Sequence, residues 1–182
     1  MKNKLSKQEK IIINGLFKEY DSWYKNLSSK ELYLLKKYTY NSFDYKKPNR
    51  FFERLNKNLR GEYDGKDKKK LLQYAEIIST AINKHSLEQT IVCYRRVDND
   101  ILKNVKVGTI FQFSQFISTS AVKKCALKKK YTYIIIAHVG TKGAFLEKIS
   151  AFTGQYEFLL DKGCKYRLLS KEKKIVILEV VI

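Results

Sequence analysis

Residues 83–97 read NKHSLEQTIVCYRRV, and along this stretch the chain changes character. Up to His85 the apolar residues recur at helical spacing. From Gln89 to Val97 a β-branched and aromatic run, TIVCY, ends in two arginines, which is the pattern of a strand. Whatever lies before this stretch is therefore expected to be helical, and whatever lies after it to be sheet.

Working back toward the start, residues 8–26 place Ile11, Ile12, Leu16, Tyr20, Trp23 and Tyr24 at near-helical spacing. Ser28 followed by Glu31 forms a capping box that opens a second helix, with Leu32, Leu35 and Tyr38 on its inner face. Pro48 suits the first turn of a third helix, which Gly61 can terminate. A fourth spans about residues 67–84 after the turn EYDGKD. Working forward, QTIVCYRRV, GTIFQF, QFISTS, KYTYIIIAHV, GAFLEKI, QYEFLL, KYRLL and KKIVILEVVI are short β-rich runs separated by Gly, Asn, Asp and Lys turns. Helices first and strands second is an α+β order. With no repeat or Pro-rich linker between the halves, one domain over 1–182 is expected, mainly helical over 1–85 and mainly strands over 86–182.

Composition narrows the function classes. The chain has 182 residues, 44% hydrophobic and 13% aromatic, enough for a real core. No run approaches the roughly 18 apolar residues of a membrane span, since YIIIAHV is broken by His138. The basic start lacks the apolar region and cleavage site of a secretory signal, so the protein acts where it is made or this is a form without its leader. Cys93, Cys125 and Cys164 are widely spaced and only His85 and His138 could join them, which reads as free thiols and no metal. Cys93 sits in an apolar strand pattern as a small buried hydrophobe. A net charge of +19 creates a field that favours polyanions or an acidic partner, or else reflects a lysine-rich solvated surface.

Polar groups at the ends of apolar strands are the candidate chemistry. Arg95 and Arg96 close IVCY, where a guanidinium fork matches phosphate; the alternative is an edge arginine reaching solvent. Ser118, Thr119 and Ser120 follow Phe116 and Ile117 in FISTS, where hydroxyls could orient a carboxylate or ligand, or merely end a strand. Gln155 and Glu157 in FTGQYEFLL share a face if both lie in a strand, and could equally be a solvated edge.

Taken in order, these features resemble the mono-ADP-ribosyltransferase toxins, most closely the small botulinum-type Rho-modifying exoenzymes. LSSKELYLLKKYT is similar to that family's helix with a Tyr-Thr ending, RLNKNLRG to its Asn-x-x-Leu-Arg helix, and GAFLEKISAFTGQYEFLL to the segment leading to its catalytic glutamate. The resemblance covers roughly residues 15–182. It implies N-terminal helices packed on a two-sheet β core of the ADP-ribosyltransferase type, NAD as co-substrate without a metal, and a monomer. By position it implies that Arg95, with Asn56 and Arg60 on one helical face and Arg96, Thr119 and Ser120 nearby, contacts NAD. Ser118 would orient the glutamate. Glu157 would stabilise the positive charge that builds as the glycosidic bond breaks. Phe152 and Gln155 would face the acceptor. The 23-residue span from Arg95 to Ser118 is shorter than in the Rho-modifying enzymes.

Arginine-modifying members carry Glu where this chain has Gln155. A neutral amide cannot help deprotonate a guanidinium, but it can exchange paired hydrogen bonds with another amide. Asparagine or glutamine of a protein, with a Rho-type small GTPase first, is the expected acceptor. A DNA or RNA base is the alternative, favoured by the charge, and a non-catalytic basic nucleic-acid-binding module is the competing class. As a toxin the protein would be secreted to act in a target-cell cytosol; otherwise it is cytoplasmic, without stable membrane insertion.

Overall fold

The computed structural model describes residues 5–40 and 50–182. Its helices are α1 (Lys7–Glu19), α2 (Asp21–Lys25), α3 (Ser29–Thr39), α4 (Phe51–Leu59) and α5 (Lys68–Asn83), followed by eight strands. Among the described residues no helix is long and apolar enough to cross a membrane.

Local sequence accounts for most helix boundaries. Ser6 with Glu9 and Ser28 with Glu31 form reciprocal capping boxes at the starts of α1 and α3, so the first orphan N–H groups are satisfied by side chains. The expected first helix breaks at Tyr20 into α1 and α2, which lets Tyr20 and Trp23 both reach the core. On α3 the buried stripe is Glu31, Leu34, Leu35 and Tyr38; Leu32 is exposed, so the expected inner face was out of phase at that position. Gly61 ends α4 as expected: at φ 77° it closes a Schellman motif, with Glu62 N donating to Lys57 O and Gly61 N to Asn58 O. The helix start assigned to Pro48 lies outside the described residues.

All eight expected strands form. They are β1 (Ile91–Val97), β2 (Ile110–Gln112), β3 (Ile117–Ser120), β4 (Tyr131–Ala137), β5 (Gly143–Phe145), β6 (Glu157–Leu160), β7 (Lys165–Glu172) and β8 (Ile175–Val181). Hydrogen bonds link them in the order β2-β7-β8-β4-β1-β3-β6-β5, antiparallel except for β4 with β8. Between β1 and β3 the ladder narrows to the single pair Tyr94 and Ser120. The two sheets of the expected core are thus a five-stranded and a three-stranded block joined at one point, and the polar strand ends gather at that junction.

Burial alternates along β4 and β8, with Tyr133, Ile135 and Ala137 and then Val176, Leu178 and Val180 facing inward. The helices share this core. Tyr20 Oη donates to Gly143 O at 2.8 Å, Trp23 Nε1 donates to Ala81 O at 2.7 Å, and Tyr24 Oη donates to Phe145 O. These bonds satisfy polar tips that the aromatic bodies carry into the interior, and they pin α2 against α5 and β5.

Candidate active site

Arg95 is placed by strand alternation. Cys93 and Arg95 share one face of β1; Cys93 is fully buried as expected, with its thiol pushed up to about 12 by burial, and Arg95 follows it toward the block junction. There its Nη1 donates to Ser118 O at 2.8 Å. Burial lowers the guanidinium from its ordinary value, while the carboxylate of Glu157 nearby favours its charged form.

Ser118 and Glu157 come together through strand pairing. Residues of β3 and β6 that share a face include Ser118, Ser120 and Glu157, and Ser118 Oγ donates to Glu157 Oε1 at 2.5 Å. The glutamate is only 8% exposed. Burial raises its carboxyl above the ordinary value; the Ser118 bond and the Arg95 charge pull it back, and the Glu147 carboxylate pushes it further up.

Gln155 is not beside Glu157 by strand alternation. Strand β6 begins at Glu157, and Gln155 lies exposed in the turn before it. Gly154 at φ 85° and Tyr156 at φ 49° bend that turn through left-handed backbone, a conformation open to glycine but costly for tyrosine. Phe152 stacks on Tyr40 at the end of α3, with centroids 6.5 Å apart and planes 16° from parallel. The turn thus leaves Gln155 exposed at the edge of the cleft and Glu157 buried within it.

Thr119 and Ser120 line the same cleft with their hydroxyls already engaged. Thr119 Oγ1 donates to Phe158 O at 2.6 Å, and Ser120 Oγ contacts Gln155 O at 2.7 Å and Val122 O at 2.9 Å. Arg96, on the other face of β1, also lines this cleft, and its Nε is buried without a hydrogen-bond partner among the described residues. Cys125 and Leu127 also line it.

A second cleft meets the first at Arg95. Arg60, Glu62, Phe113, Gln115 and Tyr133 line it with Arg95. Arg60 is held there in a two-pronged pair with Glu62, Nε to Oε1 at 2.9 Å and Nη2 to Oε2 at 2.7 Å. Asn56, one turn earlier, donates from Nδ2 to Tyr38 Oη at 2.9 Å, and its Oδ1 is buried and unpaired among the described residues. Buried polar atoms left without partners mark places where a polar ligand can bind.

No sequence motif singles out Tyr38, Glu62 or Glu147 as site residues. Glu147, just past β5, is buried, and its two carboxylate oxygens accept the backbone N–H groups of Gly154 and, at 2.7 Å, Tyr156. A carboxylate inside the apolar run GAFLEKI was the available signal, since such a group needs a partner when buried.

Comparison with known proteins agrees with this geometry. The family model for the ADP-ribosyltransferase exoenzyme matches residues 17–181. The Enterococcus faecalis NAD(+)–arginine ADP-ribosyltransferase EFV is 28% identical over 156 residues, covering 80% of this chain and 30% of that protein, so the chain spans under a third of that relative. C3stau2 from S. aureus, solved with NAD, shares the fold at a TM-score of 0.74 and 19% identity, covering 100% of this chain and 98% of that one. The Clostridium limosum C3 exoenzyme does so at 0.73 and 20%, covering 96% and 94%. By family match over nearly its whole length, with an Arg, Ser and Glu constellation assembled at the sheet junction, the chain belongs to the ADP-ribosyltransferase exoenzyme family and carries an NAD-dependent mono-ADP-ribosyltransferase domain.

Proposed function

We propose that this domain transfers ADP-ribose from NAD to an amide side chain of a protein, with a Rho-type small GTPase as the leading acceptor. The observation that carries the catalytic part is the Ser118 to Glu157 hydrogen bond, with Arg95 bonded to the Ser118 carbonyl behind it. NAD, when bound, supplies the ADP-ribosyl group and a nicotinamide that can leave.

Arg95 and Arg60, on one cleft, offer planar donor forks for a diphosphate, and Arg96 Nε and Asn56 Oδ1, unpaired among the described residues, offer further polar contacts. Those groups fit a dinucleotide. Glu157, held by Ser118, presents a fixed carboxylate where positive charge develops, and a buried carboxylate acts more strongly there than one in water. Thr119 and Ser120 hold the strand and turn on either side of Glu157 by bonding Phe158 O and Gln155 O. Phe152 and Gln155 meet the acceptor.

The amide of Gln155 supports an asparagine or glutamine acceptor, because it can pair with another amide but gives no charge to a guanidinium. Arginine is the second reading, favoured by the name of the E. faecalis relative. Incubating the protein with labelled NAD and a mammalian cell lysate tests both. Label on a protein of small-GTPase size, mapped by mass spectrometry to Asn or Gln, supports the first. Label on Arg establishes the second, and label that survives protease but not nuclease replaces both with a nucleobase acceptor. Wild-type protein that neither transfers nor hydrolyses NAD would refute the catalytic reading.

A further inference from the structure

The turn carrying Gln155 is gripped from two sides. On one side β3 and its extension hold it, Ser120 Oγ against Gln155 O and Ala121 N donating to Tyr156 O at 2.9 Å. On the other, Leu146 N donates to Glu157 O at 2.9 Å, and Glu147 accepts from Gly154 N and Tyr156 N. These two amides flank Gln155. One carboxylate therefore spans the residue assigned to the acceptor, and the second amide belongs to the left-handed Tyr156, next in chain to Glu157.

We propose that Glu147 is a positioning residue of the transferase: its carboxylate locks the backbone of residues 154–156 and so sets where Gln155 and Glu157 stand relative to one another. The inference rests on the assignment of Gln155 and Glu157 to the reaction. Tyrosine does not adopt φ 49° without compensation, and a charge-assisted bond to its N–H supplies it. The distance between Glu147 and the strand carrying Ser118 is irrelevant to this role, because the lock acts on the chain leading into Glu157. Glu147 also places a second negative charge near Glu157, whose other neighbours are Ser118 on β3, Arg95 on β1 and Tyr38 on α3. Tyr24 on α2 and Tyr156 itself also feel the Glu147 charge.

Glu147→Gln tests this with NAD hydrolysis, where water is the acceptor and the identity of the protein target does not enter. The amide turns an N–H toward one of the two backbone donors and cannot accept from both. Nicotinamide release at saturating NAD is expected to fall about tenfold to a hundredfold, as for a misplaced reacting group, while KM for NAD stays within about twofold because Arg95 and Arg60 lie outside the lock. Loss of the like charge lowers the Glu157 carboxyl, so the acid limb of the pH profile moves to lower pH. An unchanged kcat in folded Glu147→Gln, a KM that rises with the loss, or an acid limb that stays in place overturns the assignment. Should the variant fail to fold, hydrogen exchange of the wild type decides: amides of Gly154 and Tyr156 are expected to exchange at least about tenfold more slowly than free peptide, and exchange at the free rate overturns the lock. Wild type without NAD hydrolysis would instead remove the catalytic reading itself.

Discussion

Ser118 Oγ bonds Glu157 Oε1 at 2.5 Å although neither residue is the other's partner in the ladder: Ser118 lies opposite Leu159, and Glu157 opposite Ser120. The contact is diagonal on one face of an antiparallel pair, within reach of side chains displaced by two residues. It leaves Glu157 at the end of β6, beside Arg95 and open to the cleft.

Ser118→Ala removes the donor to the charged form of Glu157. A hydrogen bond to a charged group contributes about 1.5–3 kcal/mol, so kcat for nicotinamide release should fall roughly tenfold to a hundredfold. The carboxyl of Glu157, already raised by burial, rises further without this donor. Activity needs the ionised form and is lost as pH falls through that value, so the acid limb must move to higher pH. A limb that moves down, or stays, would contradict the role given to Ser118.

Glu157→Gln keeps shape and removes the charge. Activity should drop by about 10²–10³, the scale of losing one preorganised electrostatic contact. Stability should not: burial disfavours the ionised carboxylate, so at neutral pH the variant is expected to melt at the same temperature or higher. Thermal unfolding at pH 7 checks this, with a marked fall in Tm as the contrary result.

Glu62 competes for Arg60. The pair is two-pronged but partly exposed, with Arg60 32% and Glu62 54% accessible, so it holds the guanidinium weakly. Under the proposed NAD contact, Glu62→Gln should lower the Kd for NAD a few-fold and Arg60→Ala should raise it about tenfold, the usual scale of one charge-assisted contact. Calorimetric titration with NAD measures both; equal affinities in the three proteins would take Arg60 out of the site.

Phe152, three residues before Gln155, stacks on Tyr40, and an acceptor-facing role for it is testable. Replacing Phe152 by Ala should reduce label on protein more than nicotinamide release, by about tenfold in the ratio, since aromatic anchors carry a large share of protein recognition. The ratio is read from one labelled-NAD reaction assayed both ways, and a ratio equal to wild type argues against an acceptor-facing role.

Tyr20→Phe tests how the helices are fastened to the sheet. It leaves Gly143 O without its buried 2.8 Å donor, at a cost of about 1–3 kcal/mol. Urea unfolding should show a lower midpoint at unchanged slope.

The order of elements and the residue types of the site follow from local sequence. Capping boxes at Ser6 and Ser28, the Gly61 stop and the alternation in β1, β4 and β8 are written within a few residues of where they act. Hence helices, strands and the place of Arg95 in β1 are legible. The phase of α3 was misjudged at Leu32 because only packing against α4 and α5 distinguishes it from Leu34. The tertiary structure alone decided what meets what. Ser118 and Glu157 are 39 residues apart and join through a register that no local signal states. Gln155 leaves the face of Glu157 because left-handed backbone at Gly154 and Tyr156 flanks it. Arg60 turns to Glu62, and Glu147 reaches across to the turn that Gln155 occupies. Periodicity is a property of neighbouring residues, whereas a site is made by contacts between distant ones, and those follow only from how the two strand blocks and the helices pack.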